Sequence, residues 1–386
     1  HTYDAFGPEG LDRLDGMFAI AIWDERERRL VLARDRAGKK PLFYRRHAGG
    51  IVFASEIKSF FVRTEASLDV HTEMIPYFFL HGYVPCPDTI YRDVRQVEPG
   101  TMLVMNADGA VTSRRYWSLQ YPDAATSARP VADRAAVRAE LRAKMTQAVQ
   151  RRLQSDVPLG AFLSGGLDST IVVGLMAGLM REPVKTFSIG FKDSPDYDET
   201  RYARMVADRF HTDHTEFIVE PGAFGLIDDL VWHHDGPFGD SSAVPTYLVS
   251  KLTREKVTVV LTGDGGDELF AGYIRFYAAR VAEQTPALLR SLLRPLSHMI
   301  PAGRNARHPL SRLQRYAAAA GLPLNERITR WSGLFYDDAE ALVRPDVMAS
   351  AAPFDRVRYL RRFESGLEGR SVLSRLLSIN YQTYLL

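Results

Sequence analysis

The most informative segment of the sequence is Leu163-Ser164-Gly165-Gly166-Leu167-Asp168-Ser169-Thr170. The apolar run before it, residues 159–163, predicts a buried strand, and residues 168–180 predict a helix. Glycines let backbone amides approach a ligand closely, and a helix start adds free N–H groups and the positive end of its dipole. Two serine hydroxyls and one threonine hydroxyl can donate further hydrogen bonds. This strand-to-helix turn is therefore predicted to bind an anion.

Better-known turn motifs fit this stretch poorly. It contains no Gly-Lys-Ser/Thr, so it is not the loop that places a lysine on the β- and γ-phosphates. No Gly-x-Gly-x-x-Gly opens the helix, so the dinucleotide fingerprint is absent. Phe162 stands two residues before Ser164, where a hydrolase nucleophile elbow has glycine. A glycine-rich turn without a ligand stays open as an alternative at this point.

A second turn, Thr262-Gly263-Asp264-Gly265-Gly266-Asp267-Glu268, follows the β-branched run of residues 257–261. The chain between the two turns alternates strand-like and helix-like segments, which predicts a parallel, doubly wound sheet. Because ligands of such sheets bind beyond the carboxyl ends of the strands, we expect both turns to face one crevice. Amides from one turn and carboxylates from the other together indicate a site for a magnesium-bound nucleotide.

The remaining elements are predicted from apolar periodicity. Around the alternating region we expect a helix over 134–153, with apolar side chains four residues apart, strands over 184–191 and 215–219, and helices over 198–210 and 245–253. The segment before residue 118 is predicted to form an antiparallel α+β domain. It is expected to contain a hairpin over 17–32, strands over 41–44, 50–54 and 100–104, and a helix over 68–80. Residues 118–133 are predicted to form a linker, and the chain beyond Tyr273 is predicted to be helical.

Composition excludes several classes of protein. At about 150 residues per domain, 386 residues predict two to three domains. A net charge of +2 gives no overall basic field, although residues 280–375 hold 16 arginines, no lysine and nine acids. That excess is interpreted as solvated helix surface, with nucleic-acid contact as the less favoured alternative. The single cysteine and the apolar run 171–180, too short for a bilayer, predict a soluble cytoplasmic protein.

Together these motifs resemble a known family. Ser164–Ser169 resembles the pyrophosphate loop of the ATP-pyrophosphatase superfamily, and with residues 262–273 it resembles the glutamine-hydrolysing asparagine synthetases. Five stretches of the front half are similar to the rear part of that family's glutaminase domain: residues 14–19, 33–44, 53–58, 82–85 and 97–100. The resemblance implies a partial α+β glutaminase domain with the N-terminal-nucleophile fold over 1–118. A linker over 119–133 then leads to a doubly wound α/β ATP-pyrophosphatase domain with a helical tail over 134–386.

What the resemblance implies chemically is amidation of aspartate to asparagine through β-aspartyl-AMP, with release of pyrophosphate and AMP. ATP and Mg²⁺ are implied, with aspartate and glutamine or ammonia as substrates. Neither nucleic acid nor membrane is expected as a partner, and a homodimer is left open. Asp264 would orient or deprotonate ammonia, and Asp168 and Asp267 would hold Mg²⁺. The residues implied in binding ATP or pyrophosphate are Phe162, Ser164, Gly165, Gly166, Asp168, Ser169, Ile189, Thr262 and Gly263.

Two departures from the family pattern limit this reading. Gly236 stands where a glutamate is common, so an amidotransferase acting on another carboxylate stays open, as does a non-catalytic nucleotide-binding partner. The family's glutaminase nucleophile is an N-terminal cysteine, and this chain starts at His1. We therefore expect a fragment that lacks the start of the glutaminase domain and the end of the synthetase domain, without glutaminase activity of its own.

Other polar residues are predicted to have structural roles. Residues 211–214 include two histidines and an aspartate but are interpreted as a solvated helix-to-strand connection rather than a metal site. His233 and His234 are adjacent and so point different ways on a helix, which favours capping or packing. Cys86 is interpreted as an ordinary loop thiol. Substrate binding and a structural ion-pair role are equally open for Arg34, Asp35 and Lys40.

Overall fold

A computed structural model describes most of the chain. It covers residues 1–62, 68–123, 125–126, 133–191, 198–219, 223–301, 303, 308–364 and 366–385, with the backbone alone at 223, 224, 384 and 385. Two compact units are present: unit 1 comprises His1–Ser127, His234–Gly239 and Tyr273–Leu386, and unit 2 comprises Ala128–His233 and Asp240–Gly272. The domain boundaries expected from the sequence are a different division of the chain and stay a prediction. Residues 124 and 127–132 of the expected linker lie outside the described residues.

Antiparallel strands build two sheets in unit 1. The strands are β1 Ala19–Asp24, β2 Arg29–Arg34, β3 Phe43–His47, β4 Gly50–Ala54, β5 Val94–Gln96, β6 Thr101–Met105 and β7 Val111–Arg115. The first sheet has the order β1-β2-β6-β7 and the second the order β4-β3-β5. The predicted hairpin is confirmed, whereas β5 and β7 were not predicted.

Strand β2 is buried on both faces. Successive side chains of a strand point to opposite sides. Val31 and Ala33 accordingly pack into one apolar cluster with Met102, while Leu32 packs into another with Leu103. All three β2 side chains are at most 1% exposed. The apolar residues of this strand are therefore consecutive and do not alternate with polar residues.

The predicted helices are present with one clear difference, and the helices Thr2–Phe6, Ile227–His234 and Gly266–Phe270 were not predicted. Only the second half of the segment predicted over 68–80 is α-helical, because Pro76 lacks the N–H that would bond back to residue 72. A short 3-10 turn over Thr72–Met74 replaces the missing turn. In chain order the α-helices are α1 Thr2–Phe6, α2 Ile75–His81, α3 Arg134–Arg152, α4 Leu167–Leu179, α5 Thr200–Phe210, α6 Ile227–His234, α7 Ala243–Thr253, α8 Gly266–Phe270, α9 Ile274–Gln284, α10 Ala287–Leu296, α11 Pro309–Ala320, α12 Leu324–Ser332, α13 Ala339–Leu342, α14 Pro345–Ser350, α15 Arg358–Arg361 and α16 Val372–Asn380.

Unit 2 contains a parallel four-stranded sheet, as predicted. Its strands are β8 Leu159–Phe162, β9 Lys185–Phe191, β10 Asp213–Val219 and β11 Val259–Leu261, in the order β10-β9-β8-β11. The chain builds outward from β8 to β10 and then returns to place β11 on the other side of β8. In open α/β sheets ligands bind at such a switch point, beyond the carboxyl ends of the two strands that flank it.

Helices α3 and α4 pack with this sheet. Val149 of α3 joins Val173 and Met176 of α4 and Ala161 of β8 in one buried cluster. Asp133 caps α3, because its carboxylate accepts hydrogen bonds from the amides of the first turn. The apolar side chains predicted along α3 are not covered in its first part, where Val137 is 50% exposed. Among the described residues, no helix is long and apolar enough to cross a bilayer.

Candidate active site

The first predicted turn joins β8 to α4 at the switch point of the sheet. Gly165 has a φ of +79°, a conformation that side-chain-bearing residues rarely adopt. A Cβ at this position would also stand 2.6 Å from the amide nitrogen of Ala203 in α5. The turn is therefore pressed against a neighbouring helix, and glycine is required both for its backbone angle and for this approach.

Hydroxyl groups fix the shape of the turn. Ser164 Oγ lies 3.0 Å from Ser169 Oγ and accepts a hydrogen bond of 3.2 Å from the amide of Gly166. Thr170 Oγ1 donates to the carbonyl of Gly166 at 2.7 Å. Gly166 stands at the N-cap of α4 and, among the described residues, no side chain caps this helix. The start of α4 thus retains the N–H groups and the dipole end that bind anions.

The second predicted turn joins β11 to α8. Thr262 Oγ1 donates to Oδ2 of Asp264 at 2.7 Å, which orients an exposed carboxylate. The amide of Gly266 then donates to the carbonyl of Gly263 at 3.2 Å, closing the turn. Asp267 lies in the first turn of the helix that follows.

The structure brings the two turns into contact. A Cβ at Gly263 would stand 2.7 Å from the amide nitrogen of Ser169 and 2.9 Å from Cβ of Asp168. At Gly266 it would stand 2.7 Å from Oδ1 of Asp168. Strands β8 and β11 are hydrogen-bonded neighbours, so the turns that follow them meet at one edge of the sheet. These contacts confirm that the two turns lie together at one edge of the sheet, whereas the crevice itself stays a prediction.

Negative charge accumulates where the turns meet. Burial and then the nearby carboxylates of Asp267 and Glu268 raise the pKa of Asp168 above its ordinary value. Glu268 is only 4% exposed. Glu268 was not predicted to have a role, although a buried acid beside two others is a signal of an electrostatic function. Like charges held together in this way favour a cation at the site.

The donor set fits magnesium in the way that nucleotide enzymes use it. In the described part of the chain, no group of three or more His, Cys, Asp or Glu side chains forms a complete metal cluster. Magnesium, however, is usually held by one or two carboxylates, with water and substrate phosphates as the other ligands. Asp168 and Asp267 can supply such a pair. The geometry thus suits an ion that arrives with a nucleotide.

Two apolar residues predicted beside the nucleotide flank the same edge. Phe162 is the last residue of β8 and pairs with Phe187 of β9. Ile189 lies two residues further along β9, beyond the end of β8, on the same face as Phe187. Both Phe162 and Ile189 are half-buried. They border the edge from which the first turn departs.

The histidines lie outside this arrangement. The prediction that residues 211–214 form a solvated connection is wrong for Asp213 and His214, which lie in β10. His214 is partly buried, with its ring nitrogens 2.9 Å from Thr186 Oγ1 and 3.3 Å from Ser188 Oγ, and its burial lowers its pKa. His234 stacks on Phe238 with ring centroids 4.1 Å apart, as the packing interpretation predicts.

Arg34 and Asp35 have structural roles, but not as an ion pair. Arg34 is 3% exposed and donates to the carbonyls of Gly38, of Lys40 at 2.9 Å and of Val97 at 3.0 Å. Asp35 is 1% exposed and accepts four backbone N–H groups. Each side chain therefore binds backbone, and two separate networks are found instead of the ion pair that the sequence left open. The Lys40 backbone, not its side chain, takes part in both.

Cys86 lines a cavity of about 250 Å³ in unit 1 that the sequence analysis did not find. Glu98 bridges Arg115 at 3.5 Å and Arg362 at 3.0 Å on its wall. Burial raises the pKa of the Cys86 thiol to about 12, so little thiolate forms near neutral pH. This agrees with the loop-thiol interpretation.

Fold and site define an α/β protein with an anion-binding turn and an acidic turn at the switch point of a parallel sheet. The family model described as asparagine synthase matches residues 140–385, and that described as a glutamine amidotransferase domain matches residues 1–117. The chain belongs to the asparagine synthase family.

Several curated proteins are similar over most of the chain. A Methanocaldococcus jannaschii protein, assigned by its name to the glutamine-hydrolysing asparagine synthetases, is 37% identical over 70% of this chain and 52% of its own length. Asparagine synthetase [glutamine-hydrolyzing] 1 of Bacillus subtilis is 31% identical over 81% of this chain and 48% of its own. Amidase chyE of Penicillium rubens is 30% identical over 73% and 43%. The chain thus spans about half the length of the curated relatives it matches.

Proposed function

We propose that this chain is part of a glutamine-dependent enzyme that uses ATP to convert aspartate to asparagine. The observation that carries the proposal is the contact between the two turns, which places Gly263 and Gly266 against the start of α4 and the Asp168 carboxylate near the charges of Asp267 and Glu268. Within the proposal, unit 2 contributes the sheet of a doubly wound ATP-pyrophosphatase domain. The antiparallel sheets of unit 1 belong to a glutaminase domain with the N-terminal-nucleophile fold.

The first step of the proposed reaction is adenylation. A side-chain carboxylate oxygen of aspartate attacks the α-phosphorus of ATP, and the bond from that phosphorus to the bridging oxygen breaks. Pyrophosphate leaves with the electron pair, and β-aspartyl-AMP remains. The amides of the turn from Ser164 to Ser169 and the dipole of α4 stabilise the charge that develops on the leaving pyrophosphate.

Asp168 and Asp267 would hold Mg²⁺, whose charge offsets that of the nucleotide phosphates. Their crowding supports this role, because burial and the neighbouring negative charges, which together raise the pKa of Asp168, are both offset by a bound cation. Glu268, buried beside them, adds to the same field.

The second step is amide formation. The nitrogen of ammonia attacks the carbonyl carbon of the mixed anhydride, and AMP leaves with the electron pair. Ammonium has no lone pair, so a base must take a proton before or during the attack. Asp264 is the residue proposed for this role, since the Thr262 hydroxyl fixes one of its oxygens and the carboxylate is exposed at the edge of the sheet.

A second candidate is amidation of another carboxylate. Gly236 departs from the family pattern, and the similar Penicillium protein is named an amidase. In both candidates the substrates are ATP, a carboxylic acid, and glutamine or ammonia, and the enzyme is expected in the cytoplasm, where these are available. A homodimer is compatible with either.

Pyrophosphate release tests the proposal. The full-length protein is supplied with ATP, Mg²⁺, ammonia and one carboxylate from a panel that includes aspartate, and pyrophosphate is measured. Release with aspartate, lost in Asp267→Asn, supports the asparagine synthetase. Release with another carboxylate alone supports the second candidate. ATP binding without any release contradicts both and leaves a non-catalytic nucleotide-binding protein.

A further inference from the structure

A groove in unit 1 combines arginine and aromatic side chains and belongs to neither turn described above. It has a volume of about 210 Å³ and lies where α9, α11 and α12 pack together. Its functional side chains come from all three elements and the residue before α9: Tyr273, Arg275, Arg312, Arg315, Tyr316 and Trp331. Among the described residues that line it, three are guanidiniums and none is a carboxylate.

The arginines give the groove a preference for anions. Arg312 and Arg315 stand three residues apart on α11 and so project from the same face of that helix. Arg275 reaches the groove from the first turn of α9. The planar guanidinium binds phosphate and carboxylate oxygens through paired hydrogen bonds, and it is the preferred residue for phosphate recognition. Three such groups converging on one groove favour an anionic ligand.

Aromatic rings supply a second kind of contact. Tyr316 and Trp331 are stacked with an interplanar angle of 15°, and the Trp331 indole N–H donates to the carbonyl of Arg315 at 3.2 Å. The Arg275 guanidinium lies 3.7 Å from the centre of the Tyr273 ring and donates to Asn380 at 3.0 Å. These contacts hold the rings and the guanidinium in place, so little side-chain entropy is lost when a ligand binds.

The size of the groove limits the ligand. Its volume is below the range of about 300–1,000 Å³ typical of pockets for drug-sized molecules. A ligand with one ring system and one anionic group can contact both the aromatic rings and the guanidiniums within so small a space. Basic residues interleaved with aromatic ones are also the pattern by which proteins hold single nucleotides of a strand.

We propose that this groove binds a nucleoside monophosphate, with the phosphate on Arg312 and Arg315 and the base against Tyr316 and Trp331. The nucleotide can be free or can be the 5′-terminal residue of a single strand, since both present the same base and phosphate. This proposal does not depend on the proposed function of unit 2. It assigns a role to part of the arginine excess in residues 280–375.

Fluorescence of Trp331 tests the proposal directly. AMP is titrated into the protein, and the same titration of Trp331→Phe is subtracted so that the other three tryptophans do not contribute. We expect saturable quenching by AMP that is weakened at least about tenfold in Arg312→Ala/Arg315→Ala, because each charged hydrogen bond lost is worth about one decade of affinity. Arg280→Ala, an exposed arginine of α9 outside the groove, is the matched control and keeps the affinity.

Further probes decide the chemistry. Inorganic phosphate and adenosine, each carrying half of the ligand, should bind at least about tenfold more weakly than AMP. The quenching should persist in Gly266→Ala, in which the candidate site of unit 2 is disrupted. A 5′-phosphorylated oligothymidylate that binds more tightly than the mononucleotide identifies a strand as the source, and weaker binding identifies the free nucleotide. Absence of quenching, equal binding of phosphate alone, or quenching unchanged in the double arginine variant overturns the proposal.

Discussion

The carboxylate of Asp168 packs against the backbone of Gly266, so closely that a Cβ atom at position 266 would stand 2.7 Å from Oδ1 of Asp168. The two residues are almost a hundred positions apart in the chain. Their contact joins the anion-binding turn to the acidic turn, and it fixes where the Asp168 carboxylate can point. The position of one carboxylate thus depends on the absence of a side chain on the other turn.

Gly266→Ala is expected to displace Asp168 and to lower ATP-dependent pyrophosphate release in the full-length protein by about 100-fold or more, since a shift of about 1 Å at a reacting centre costs that much. Gly178→Ala is the matched control, because a Cβ at this position of α4 meets nothing within 4 Å. Alanine also favours a helix over glycine. Equal activity of the two variants would show that the contact does not position Asp168.

Asp264→Asn tests the proposed base. Asparagine keeps the size of the side chain and an oxygen for the Thr262 hydroxyl but cannot take a proton. We expect unchanged ATP affinity by calorimetry and a fall of about 10²–10⁴-fold in amide formation, measured by chromatography of the product. Asp208→Asn, an exposed aspartate of α5, serves as the control. A fully active Asp264→Asn enzyme would show that Asp264 is not the base in amide formation.

Asp35→Ala is expected to destabilise the protein without touching the candidate site. The carboxylate accepts four backbone N–H groups in the interior, and removing it leaves buried donors without an acceptor. The free energy of unfolding in urea should fall by about 3–5 kcal/mol. Asp93→Ala removes a half-exposed partner of Arg45 and should cost less than about 1 kcal/mol. Similar losses in the two variants would contradict the assignment of Asp35 as a structural centre.

His81 should make stability depend on pH. Burial lowers the pKa of His81 to about 4, whereas an unfolded chain has a histidine pKa of about 6.5. The unfolded state therefore binds the proton first, and the contribution of neutral His81, complete above pH 6.5, is lost as the pH falls towards 4. The loss amounts to about 3 kcal/mol. His81→Phe should flatten the unfolding free energy over this range, while His47→Phe, which removes an exposed imidazole, controls for the substitution. If the unfolding free energy of His81→Phe changes with pH as steeply as that of the unmodified protein, a group other than His81 causes the pH dependence.

The single cysteine allows a clean test of burial. With a pKa of about 12, the Cys86 thiol should react with iodoacetamide at pH 8 about a thousandfold more slowly than a free cysteine. Mass spectrometry of the native protein should show little modification, and addition of urea should restore the ordinary rate. Rapid labelling of the native protein would mean that the thiol is not buried as described.

The elements around the candidate site and the chemistry they offer could be predicted from short segments of the sequence. Apolar runs before each turn marked β8 and β11, and the glycines and carboxylates between the strands and helices marked an anion site and an acidic site. These are local signals, because backbone freedom, helix starts and side-chain charge depend on neighbouring residues. The same local reasoning failed for residues 68–74 and for His214, where Pro76 and pairing in the sheet decided the structure.

Contacts between residues that are distant in the chain could be identified only in the folded protein. The contact of Asp168 with Gly266, the burial of Glu268 beside it, and the separate networks of Arg34 and Asp35 follow from strand order and packing. So does the groove of three arginines and three aromatic rings, whose members lie up to 58 positions apart, from Tyr273 to Trp331. The spacing of residues along the sequence does not predict such contacts, because they form only when separate helices and strands exclude water from a shared surface.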